Sequence, residues 1–208
     1  MTSRQLSIIA KKVLHILPEF AVKGPLIFKI TSEEIFLGLH FGGSSRDGRI
    51  FRMNAFFLPL FVLTDTIHFN YGIRISSGSG QWNADNPNLI GELVGSIGSQ
   101  ARPFLDSVST LDGALKYLRA QVEANAGHVN PHTLEALTCT LIKAGHFPAA
   151  LKTVAEQKRL LENATVPWMD ELRKRAVLIE EKILQGSEVA LQQLDAWRAE
   201  TIHKLSMN

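Results

Sequence analysis

The 28 residues from 48 to 75, GRIFRMNAFFLPLFVLTDTIHFNYGIRI, constrain the fold more than any other stretch of the chain. Taken in steps of two, Phe51, Met53, Ala55 and Phe57 point one way, and Arg52 and Asn54 point the other. After Thr64-Asp65 the alternation returns, with Ile67, Phe69, Tyr71, Ile73 and Ile75 on one face and His68, Asn70, Gly72 and Arg74 opposite. A period of two over this length predicts strands with one face on a core and one face polar. The third and fourth strands of the chain are therefore expected at about 49–57 and 67–75. Pro59 is expected at a strand end or edge, since it has no N–H for a ladder.

The flanking segments complete an α+β domain. Leu6, Ile9, Val13, Leu14 and Leu17 recur at helical spacing over 3–17, behind a capping Thr2 or Ser3. Lys11 and Lys12 lie off that stripe, and Pro18 closes the helix. LIFKI at 26–30 and the alternating run at 35–41 read as the first two strands. Short connections favour antiparallel neighbours, so an N-terminal helix on a four-stranded antiparallel meander is expected. Residues 76–87, SSGSGQWNADNP, carry Gly, Ser, Asn and Asp in loop-forming proportion, and Trp82 within them is expected to fold back onto the body. A short helix from Leu89 to Ile97 follows, weakened by Gly91 and Gly95, and Arg102-Pro103 is read as a break.

From residue 109 the pattern is helical throughout. Segments 110–126, 131–144, 147–163, 167–184 and 187–205 each repeat Leu or Val at three- and four-residue spacing. Pro131 and Pro167 suit first helical positions, and Gly127, Gly145 and Gly186 suit helix ends. The expected organisation is an α+β domain at 1–108 and an all-helical domain at 109–208.

Leu134, Leu137, Leu141, Gly145, Phe147, Ala150 and Val154 carry a resemblance to one tetratricopeptide helical hairpin over 134–160. Small Ala150 would let the helices approach, Gly145 would make the turn and Phe147 would fill the space beneath it. Thr138 and Gln157 depart from that pattern. GALKYLRAQ at 113–121 echoes AALKTVAEQ at 149–157, close to the period of such repeats. The resemblance implies a protein-docking surface on the helical half. The N-terminal half is similar to bacterial α+β domains whose strands share this aromatic and polar alternation, which suggests a bacterial accessory or immunity-like protein.

Composition narrows the function classes. The net charge of +2 gives no basic stripe, and the Arg173-Lys174-Arg175 run sits beside Glu180-Glu181 as a mixed-charge solvated face, so nucleic acid is not an expected partner. The longest apolar run falls short of a membrane span, and the amino terminus lacks the pattern of a signal peptide. Together with a single cysteine, Cys139, this gives an expectation of a cytoplasmic protein without membrane association, and homo-oligomerisation is left open.

Chemistry-bearing motifs are sparse. Of seven histidines only His128 and His132 are spaced four apart, with Asn130-Pro131 between them, so neither a metal nor another cofactor is expected. His146 is read as capping a helix C-terminus. Ser44, Ser45 and Asp47 read as turn chemistry, and neither GGSS at 42–45 nor SSGSG at 76–80 is placed at a helix start to cradle phosphate. No catalytic residue is assigned. The candidate ligand-binding set is the polar sheet face, namely His40, Arg52, Asn54, His68, Asn70 and Arg74, where two arginines could fork onto a carboxylate or phosphate. The sequence thus points to a non-catalytic protein-interaction module, or alternatively to a protein that binds a small molecule or anion on that face.

Overall fold

The computed structural model of the chain describes residues 1–44, 47–78, 80–163 and 165–205. They divide into two compact units, 1–57 with 71–109, and 58–70 with 110–208. The fold class is α+β, with one antiparallel sheet followed by helices.

In the first unit, helix α1 (Ser3–Val13) begins with a capping box: the Thr2 hydroxyl accepts from the Gln5 N–H, and the Gln5 side chain accepts from the Thr2 N–H. Its buried stripe of Leu6, Ile9, Ala10 and Val13 packs toward strands β1 (Ala21–Lys23), β2 (Leu26–Ile30) and β3 (Ile35–Gly43). Strand β4 (Ile50–Pro59) follows, then β5 (Gly72–Ile75) and the two-residue β6 (Trp82–Asn83). The order is β1-β2-β3-β4-β5, and β6 pairs with the start of β4.

Six strands stand where four were expected. Strand β1 is too short for alternation to reveal, and it turns into β2 through Gly24 at φ +62° and Pro25, a two-residue hairpin loop that glycine makes accessible. Trp82 does fold onto the body. Its indole N–H donates to the Ile75 carbonyl at 2.9 Å and its ring stacks on Phe51.

The main correction concerns the fourth expected strand, which is confined to Gly72–Ile75. Residues 67–71 lie outside the sheet, although their side chains alternate. The connection Leu58–Asn70 belongs to the second unit, where buried Thr201 secures it. The Thr201 hydroxyl accepts from the Thr64 N–H at 3.2 Å and donates to the Val62 carbonyl at 3.1 Å. Of 67–71, the Tyr71 carbonyl still accepts from the Phe57 N–H at 2.9 Å, just beyond the end of the β4–β5 ladder.

A second correction follows from Arg102-Pro103. The chain is not broken there: α2 (Leu89–Ser96) passes through a π-turn at Ile97–Ala101 into α3 (Arg102–Ser107). The wider turn absorbs the donor that Pro103 lacks. Gln100 on that turn clamps Ser76, accepting from its N–H and donating to its carbonyl.

The second unit holds α4 (Leu111–Ala124), α5 (Pro131–Lys143), α6 (Phe147–Leu160), α7 (Pro167–Gln185) and α8 (Ser187–Lys204). Helices α5 and α6 form a hairpin that turns at Gly145, φ +78°. The His146 backbone N–H, rather than its ring, satisfies the Leu141 carbonyl. Helix α5 is buried at every position from Thr133 to Ile142 because α4, α6, α7 and α8 all pack on it. That enclosure differs from a stack of hairpins in which each repeat meets only its neighbours. It also accounts for the two departures from the tetratricopeptide pattern. Thr138 is buried beside Glu135 and Arg175, and Gln157 reaches the Pro131 carbonyl at 3.4 Å. Glu135 and Arg175 form a two-point ion pair at 2.6 and 3.0 Å. Among the described residues no helix is long and apolar enough to cross a membrane.

Candidate functional site

Strand register decides which of the expected site residues meet. Leu26 pairs with His40, and Asn54 pairs with Arg74. Between them, the Ser44 N–H donates to the Ile50 carbonyl. Carrying that antiparallel pairing along β3 and β4 sets His40 opposite Asn54, and Gly38 opposite Phe56. The second placement agrees with the packing: a Cβ on Gly38 would lie 2.3 Å from the tip of the Phe56 ring. His40, Asn54 and Arg74 therefore form one row across β3, β4 and β5. Arg52 sits two residues along β4 on the same face, diagonal to Arg74 at roughly 7 Å between Cβ atoms.

The face is polar only in part. One row further along the strands stands an aromatic cluster, with Phe36 stacked on Phe28 at 5.4 Å and tilted against Phe56 at 5.9 Å. Phe36 and Phe56 are fully buried. A uniformly solvated second face was the simplest expectation from alternation, and Phe36, Gly38 and Phe56 override it. Gly38 exists to admit the Phe56 ring, and Gly72 on the other side sits against Ala55 and Phe56 with equally little room.

In the polar half, Arg52 and Arg74 are exposed while His40 and Asn54 are partly buried. Burial pushes the His40 imidazole below its ordinary pKa, so it stands neutral at pH 7. Its ring lies over Gly42, where a Cβ would be 3.4 Å from Cε1. Among the described residues neither Arg52 nor Arg74 is paired with a carboxylate. The half-face therefore presents two cations without carboxylate partners among the described residues, one amide and one neutral imidazole.

His68 and Asn70 are not part of it. Both belong to the connection in the second unit. There His68 faces His132, ring centroids 6.4 Å apart, and His132 stacks on Trp168 at 5.3 Å and 12°. Spacing presents His132 only as a metal ligand, and it gives Trp168 no role. The available signal was a repeated pair, Pro131-His132 and Pro167-Trp168, each placing a ring at the second position of a helix that starts on proline.

Other expected features resolve as local structure. Asp47 accepts from the Arg49 N–H at 2.8 Å and its own N–H donates to the Ser44 hydroxyl, which is turn chemistry; Ser45 and Ser79 lie outside the described residues. Cys139 is fully buried, and burial pushes its thiol pKa well up, away from the thiolate. Among the described residues no group of three or more His, Cys, Asp or Glu could hold a metal ion. No family model, curated protein or solved structure matches the chain.

Proposed function

We propose that the protein is a non-catalytic binding module that recognises an anionic group, a carboxylate or phosphate, on the polar half of its sheet. The observation that supports this reading is the pair of exposed guanidinia, Arg52 and Arg74, on adjacent strands of one face and without acidic partners among the described residues. A guanidinium offers a rigid fork of donors matched to carboxylate and phosphate oxygens. Asn54, paired with Arg74 across the strands, adds a neutral donor. Two charge-assisted bonds at ~2 kcal/mol each correspond to a Kd on the order of 1 mM, so a multidentate anion is the natural ligand. Salt should weaken it, because both cations are exposed.

Thermal unfolding in pyrophosphate and in citrate, at constant ionic strength, tests this. Both anions should raise Tm in the native chain and neither should do so in Arg52→Ala with Arg74→Ala. An equal rise in both proteins would remove the sheet face from the account.

A second reading, protein docking on the helical unit, has its own support. Six of the eight exposed large apolar residues among the described residues fall there, namely Phe69, Leu160, Val166, Trp168, Val177 and Leu184. Trp168, half exposed beside Val166, is the natural anchor of such a contact. With the full chain as bait in native lysate, a specific partner should be captured and then lost on Trp168→Ala. Capture unaffected by that change would count against this surface.

A further inference from the structure

Three rings of the second unit serve neither the sheet face nor the buried core of α5. His68 comes from the connection, His132 from the second position of α5 and Trp168 from the second position of α7. Their contacts run in series, 6.4 Å from His68 to His132 and 5.3 Å from His132 to Trp168. The series joins the end of an irregular segment to the starts of two helices. Thr201 secures Val62 and Thr64 of the same segment by hydrogen bonds, and the ring contact is an attachment nearer its far end.

A proton on either imidazole is poorly accommodated. His68 is partly buried, and its titratable neighbour is His132. His132 is partly buried too, and the charged groups facing it are Glu135 on its own helix and Arg175 on α7. Those two act in opposite directions and are already bonded to each other through both carboxylate oxygens. His132 also sits at the start of α5, at the positive end of the helix dipole. The attraction of Glu135 is thus largely spent, and what remains disfavours a cation.

We propose that the His68–His132–Trp168 stack is a pH-sensitive clasp, which holds residues 66–70 against α5 and α7 while both imidazoles are neutral and releases them on proton uptake. The sign follows from linkage. Burial first, then the charge of His132, depresses His68 from 6.5 to about 4 in the closed form, whereas a released imidazole titrates near 6.5. The closed form has its full advantage above pH 6.5. That advantage shrinks as pH falls, because the open form takes the proton first, and it stops shrinking below about 4. The interval of about 2.5 pH units corresponds to a shift of about 300-fold in the closing equilibrium.

Backbone and imidazole NMR of the full chain between pH 7.5 and 3.5 tests the clasp. The His68 Cε1–H resonance should titrate at least one unit below 6.5. Over the same interval the heteronuclear NOE of residues 66–70 should fall to that of a mobile loop, while β4 amides stay unchanged. In His68→Phe, which keeps a ring without a proton to take up, that loosening should vanish; His132→Phe serves in its place if the first variant does not fold. Titration of His68 at an ordinary 6.5, or residues 66–70 as ordered at pH 3.5 as at 7.5, would overturn the proposal. Loosening shared by β4 would overturn it too, as global unfolding.

Discussion

Gly38 shows how much a single residue decides in this sheet. The space its side chain would fill is taken by the Phe56 ring, whose atoms lie 2.3, 2.4 and 3.0 Å from where a Cβ would stand. Phe56 is fully buried and tilted against Phe36, so it cannot swing away without unpacking a second ring. Gly38→Ala should therefore cost about 1–3 kcal/mol as overpacking, a Tm fall of about 2–12 °C for a chain of this size. Calorimetry of the variant checks this; an unchanged Tm would mean that the Phe56 ring yields freely. The same glycine is where the sequence was least informative. Alternation assigns Phe36, Gly38 and His40 to one face correctly, yet nothing in the spacing tells that the Phe36 end is buried and the His40 end open. Arg52, Asn54 and Arg74 were legible because charge and amide groups at period two must face water, whatever covers the neighbouring row.

At the scale of elements, the connection between β4 and β5 carries the clearest lesson. Ile67, Phe69 and Tyr71 alternate as a strand would, but a strand also needs a partner for its backbone. The segment just before them is held by Thr201, 137 residues from Thr64 in sequence, and no local pattern reports it. Thr201→Val keeps the shape of the side chain and removes both bonds, leaving the Thr64 N–H without its acceptor. A loss of about 1–3 kcal/mol is expected, read as lower Tm and faster amide exchange at Thr64. Unchanged exchange at Thr64 would show that the segment is secured elsewhere. Helices were read more easily, since each carries its own apolar stripe and its own stop signal, such as Gly145 at φ +78° or Pro131 and Pro167 at first positions. Their packing was not legible. Ten successive buried residues on α5 require four neighbours, and period alone cannot tell a central helix from one in an open stack.

On the scale of the whole molecule, the two units divide their polar chemistry differently. The helical unit keeps its main ion pair inside, Glu135 with Arg175, where two hydrogen bonds offset the loss of water. The first unit instead leaves Arg52 and Arg74 outside on one face, without carboxylate partners among the described residues. Anion recognition at that pair is the central claim, and it is tested most directly at the guanidinia themselves. The measurement is a titration of the full chain with pyrophosphate at fixed ionic strength, following the Nε–Hε resonances of its arginines. Arg52 and Arg74 are expected to shift together with a single Kd near or below 1 mM, with smaller shifts at the Asn54 amide and none at Arg175. Arginine resonances that drift in proportion to their exposure, with no preference for Arg52 and Arg74, would contradict it.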